Sequence, residues 1–86
     1  MLTVDDARAL AHRFVAEVRA ARLTGAPPTR LVALGHTYRE ALRPCPPEVR
    51  AAFLDELGTE PDLALMVHCT VLLVLAGGFP EEPART

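Results

Sequence analysis

The 86-residue chain contains no lysine, serine, asparagine, glutamine, isoleucine or tryptophan. The missing serine removes every mechanism built on a serine nucleophile. With arginine the sole long-chain base, its use at any one position carries little chemical meaning. The pattern reads as codon bias in a GC-rich, bacterial genome. Cysteine is nearly missing too: Cys45 and Cys69 cannot make the multi-bridge framework of a small secreted domain. The opening MLTVDDARAL has acids where a signal peptide would carry bases. A reducing, cytoplasmic setting with both thiols free is the expectation. Only four aromatic residues occur (Phe14, Tyr38, Phe53, Phe79), and no segment alternates with period two, so strands are not expected.

Half of the residues are nevertheless hydrophobic, which argues against disorder outside a short tail. One domain is expected over residues 1–78, followed by the acidic, proline-containing tail 79–86, with Phe79 a residue that could dock. A chain this short buries only about 60–65% of its unfolded surface, so the core needs a supplement. The net charge of −2 is unevenly spread. Residues 1–50 hold eight arginines against five acids, whereas residues 51–86 hold one against six. This asymmetry suits internal pairing or contact with a second copy, and it is too small to argue for nucleic acid.

Proline and glycine divide the chain into four helices. The first spans Val4 to Leu23, with Thr3 as N-cap, Asp5 and Asp6 in the first turn, and Gly25 at its end. Ala7, Leu10, Ala11, Phe14, Val18 and Ala21 form its apolar face. The second covers Thr29 to Leu42, with Leu31, Leu34, Tyr38 and Leu42 inward. Gly35 lies on the same stripe, where it permits close approach of a neighbour, the alanines of the first helix being the expected one. The third runs from Pro46 to Leu57, with Val49, Ala52, Phe53 and Leu57 inward and Gly58 closing it. The fourth starts at TEPD, with Thr59 as the expected cap, and ends at Ala76-Gly77-Gly78.

The segment LALMVHCTVLLVLAGG (63–78) is the longest apolar run. Its apolar stretch is too short for a bilayer core, which takes about 20 residues, and acids rather than bases flank it. His68 and Cys69 point about 100° apart on a helix and cannot converge on one ion. No CxxC or HxxxH spacing supplies further ligands, so neither metal nor cofactor is expected. The helix is apolar around its whole circumference, so burial on every side is expected, with the fourth helix at the centre of the bundle. Three short amphipathic helices cannot cover it entirely. A second copy of the chain, or another protein, would complete the cover through Met66, His68 and Leu73.

A second candidate surface lies on the first helix, where Arg8, His12, Arg19 and Arg22 fall in one stripe with Val15 at its middle. It could hold a phosphate or an acidic partner, or simply pair with the acids of the segment 55–62. The stretch TRLVALGHTYREALR has the outline of a helix-turn-helix with Gly35 at the turn, but its first helix is too short and the charge unsuited to DNA. No convergent acid pair and no phosphate loop appear, so no catalytic residue is assigned. The sequence thus points to an all-α, compact four-helix bundle acting as a non-enzymatic interaction module, most economically a homodimer. The alternative is a nucleic-acid or phosphate-binding regulator using the arginine stripe.

Overall fold

The computed structural model describes residues 1–78 and contains four α-helices, with no strand among them. They are α1 (Val4–Leu23), α2 (Pro28–Leu42), α3 (Pro47–Leu57) and α4 (Leu63–Leu75). The tail 79–86, including Phe79, lies outside the described residues.

Each boundary has a local cause. Thr3 opens α1 through a full capping box: its hydroxyl accepts from the Asp6 amide at 3.1 Å, and the Asp6 carboxylate accepts from the Thr3 amide at 2.8 Å. Those bonds hold the Asp6 carboxyl below the usual carboxylate range. Helices α2 and α3 each begin with proline in the first turn, where no amide is needed and φ is already helical. The start of α4 differs from the expectation. Asp62, rather than Thr59, caps it by accepting from the Leu65 amide at 3.2 Å. The Thr59 hydroxyl instead donates backwards to the Glu56 carbonyl at 2.6 Å, in the turn that ends α3. Gly77 and Gly78 close α4 with φ of 111° and 63°, left-handed values that a side chain resists. Their amides return to the Val74 and Leu73 carbonyls, which satisfies two orphan acceptors at the helix end.

The central element is α1, not α4 as the sequence suggested. It packs most extensively on α3 and also meets α2 and α4, while α4 leans chiefly on α2. Phe14 is fully buried at the junction, with its ring 4.7 Å from Tyr38 and 6.1 Å from Phe53. Burial pushes the Tyr38 hydroxyl up to about 12, with the Glu17 carboxylate adding to the effect. Among the described residues no polar or charged side chain is fully buried. The core is therefore held by apolar burial and shape alone.

Gly35 makes its close approach to α4 rather than to the alanines of α1. A Cβ at position 35 would lie 2.6 Å from the Leu72 carbonyl oxygen, closer than any real contact allows. The absent side chain thus sets the α2–α4 distance. Because α2 is one continuous helix through Gly35, the helix-turn-helix outline is not realised.

Candidate functional surface on the fourth helix

Helix α4 divides its uniformly apolar circumference into two unlike halves. Leu65, Cys69, Leu72 and Leu73 face the core, with Ala76 buried just beyond the helix end. Leu63, Val67, Val71, Val74 and Leu75 face outward. Leu63, Val74 and Leu75 are 66%, 65% and 61% exposed, and the other two about half. At 100° per residue these five, with exposed Ala64 between them and Thr70 at their edge, fall on one side of the helix. No charged residue occurs from 63 to 78, so the outward face has no ionic solvation of its own. Leu23 at the end of α1, itself largely exposed, lines a cleft with Asp62 and Leu65 beside the start of α4.

The residues expected to meet a partner fare differently. Leu73 is only 3% exposed and belongs to the core, so it is not available to a second chain. Met66 and His68 are half-buried on the two shoulders of the helix, at the margins of the outward face. The outward residues were hidden in the sequence because large apolar residues stand all the way round α4. Thr70, an exposed polar residue at one edge of the outward side, was the available signal.

His68 and Cys69 are the titratable side chains of α4, and they point about 100° apart. Cys69 is fully buried and its thiol is pushed up to about 11, mainly by burial. Such a thiol is protonated and shielded near neutral pH, the opposite of an activated nucleophile. Among the described residues no group of three or more His, Cys, Asp or Glu side chains is placed to hold a metal ion. No helix among them is long and apolar enough to cross a membrane.

The basic stripe on α1 is turned toward acids of the same chain. Val15 at its middle is buried, which places the stripe along the margins of a packed face. His12 Nε2 lies 2.7 Å from Glu56, and Arg8 reaches the same carboxylate at 4.0 Å as well as Asp5 at 3.4 Å. Arg19 pairs with Glu60 at 3.5 Å. Of the four residues only Arg22 has no ion-pair partner among the described residues. The pairs join α1 to the end of α3 and the turn after it; their basic members are more than half exposed while Glu56 and Glu60 are largely covered, and each pair contributes about 1 kcal/mol at most.

Two further clefts run between α1 and α2. One has a volume of about 600 Å³ and is lined by Glu17, Ala20, Ala21, Thr24, Arg30 and Leu34 among others. A smaller one of about 170 Å³ is lined by Leu10, Arg13, Thr37, Tyr38 and Ala41, and shares Glu17. Both are open and mixed in character, with no convergent set of polar groups that would fix a ligand.

No protein-family model, no curated protein and no solved structure matches this chain.

Proposed function

We propose that the chain is a small, non-enzymatic protein–protein interaction module whose working surface is the outward face of α4. The observation that carries this reading is the stripe Leu63, Val67, Val71, Val74 and Leu75, five large apolar side chains held in the open on one uncharged helix face. An apolar patch of this kind is costly in water and marks a surface that another molecule covers. The mechanism is burial: the covering chain removes the stripe from water without any covalent step. A second copy of the chain is the economical partner, since twofold homodimers are the commonest closed assembly. Two free, buried thiols suit a reducing, cytoplasmic setting. The basic stripe on α1 supports no comparable reading, because three of its four members are engaged by Glu56 and Glu60.

Light scattering over a concentration range tests self-association, with circular dichroism monitoring the fold. The wild type is expected to approach twice its 9.3 kDa chain mass. Val74→Asp is expected to stay at the single-chain mass with unchanged helicity, because position 74 is open to solvent in the isolated chain and a dimer would bury the new charge unpaired. A wild type that remains a single chain even at millimolar concentration would remove self-association as the function.

A further inference from the structure

We infer that the outward face of α4 is covered by α4 of a second copy running antiparallel to it. In this pairing Leu63 lies against Leu75 of the other chain, and Val67 against its Val71. The inference rests on the interaction reading above and adds the occupant and its direction.

Area decides the occupant. The five outward side chains leave on the order of 400 Å² of apolar surface open in each chain. Two such faces in contact remove about 800 Å² of apolar surface. Since roughly 65% of a homodimer interface is apolar, the whole would bury about 1,200 Å². That value sits at the lower edge of stable interfaces. The patch therefore suffices when matched by an equally apolar copy of itself.

Position decides the register. Leu63, Val67, Val71 and Leu75 are spaced by four residues, which makes them one continuous ridge on the helix surface. The ridge is symmetric about position 69, so a twofold axis crossing α4 there superposes it on itself end for end. The same axis sets exposed Ala64 opposite Val74, a small residue against a large one.

Charge decides the direction. Glu60, held by Arg19, and Asp62, the N-cap, stand at the first end of α4, and Asp62 has no ion-pair partner among the described residues. At the other end the Arg39 guanidinium lies against Gly77, donates to the Gly78 carbonyl at 2.8 Å and is neutralised by Glu40 at 2.5 Å. Antiparallel pairing keeps the two Asp62 carboxylates at opposite ends of the pair. Parallel pairing would set Asp62 against Asp62, and it would also align the two helix dipoles.

Disulfide trapping in the full chain tests this. Leu63→Cys and Leu75→Cys are made separately; both positions are exposed, and circular dichroism verifies that each variant folds. Each variant alone, and then the two mixed, are oxidised mildly and the linked peptides mapped by mass spectrometry. Cys45 and Cys69 are buried and serve as internal controls. The expected result is a disulfide between positions 63 and 75 of different chains in the mixture, and none in either variant alone. In an antiparallel pair the two copies of residue 63 lie about 18 Å apart along the axis, beyond disulfide reach. Efficient 63–63 and 75–75 disulfides would overturn the antiparallel arrangement while leaving the interaction reading intact. A dimer that forms no disulfide at either position would place the contact elsewhere, and a chain that never associates would remove the pairing altogether. Both results would overturn the inference.

Discussion

At Gly35 a missing methyl group fixes the distance between two helices. Alanine is the better helix former by about 1 kcal/mol, so on propensity alone Gly35→Ala would stabilise α2. The Leu72 carbonyl 2.6 Å from the would-be Cβ reverses that sign, because backbone on both sides must separate. The variant is expected to lose about 1–3 kcal/mol in urea denaturation, the range for overpacking. A gain in stability would mean that α2 and α4 are not held at this distance. Cys69 carries a second prediction at the same scale. Its thiol is raised from 9.0 to about 11 in the fold. The unfolded chain therefore ionises first, and the stability that this difference supplies is full below pH 9. It is lost as the pH rises toward 11, by an amount on the order of 2 kcal/mol. Tyr38, raised from 10.0 to about 12, extends the decline further. The melting temperature should fall steeply from pH 9 to pH 11, and Cys69→Ala should flatten that part of the curve while lowering stability at neutral pH. A wild-type profile unchanged up to pH 11 would contradict the burial of this thiol.

Among the elements, α4 is the one whose start was misread, and its cap offers a direct comparison. Asp62 accepts from the Leu65 amide, whereas Thr59 is engaged by the end of α3. Asp62→Ala should therefore cost about 1 kcal/mol, the usual value for a lost N-cap. Thr59→Ala should cost less, since the helix does not depend on it. Chemical denaturation of the two variants settles the order, and a larger loss at Thr59 would restore the TEPD reading. The misreading has a physical cause. Thr59, Glu60 and Asp62 are all competent near a helix start, and Pro61 fits a first turn as well as it fits the loop before one. Helix α1 was readable to the residue because its Thr3 cap, its apolar face and the terminal Gly25 all agree. The ends of α2 and α3 moved by one residue at most, since proline forced them.

In the whole molecule, α1 occupies the place the sequence suggested for α4, and this reassigns two neighbouring side chains. Leu73→Asp puts a charge into the core and should unfold the chain, at a cost on the order of several kcal/mol. Val74→Asp, one residue on, should leave the isolated fold intact. Thermal unfolding of the pair measures which side of α4 the bundle covers, independently of any partner. Equal damage by both would mean that α4 is enclosed on every side. The same reassignment explains the arginine stripe. The acids that balance it lie at the end of α3 and in the turn after it, and the packing of α3 on α1 brings them within reach.

What the sequence determined by itself was everything set by local chemistry. The helical class follows from three- and four-residue periodicity, the punctuation from proline and glycine, and the apolar faces of α1, α2 and α3 from polar residues that mark their outer sides. Those polar residues solvate only outward, so each amphipathic helix declares its own orientation. Helix α4 makes no such declaration. Leu73 and Val74 are nearly equivalent in transfer free energy, and the hydrophobic effect has no direction of its own. Which of them is buried depends on where α1 and α2 stand, and that was decided by the close contact at Gly35 and the packing of Phe14 against Tyr38 and Phe53. Only the tertiary structure could sort a uniformly apolar helix into a core side and an open one.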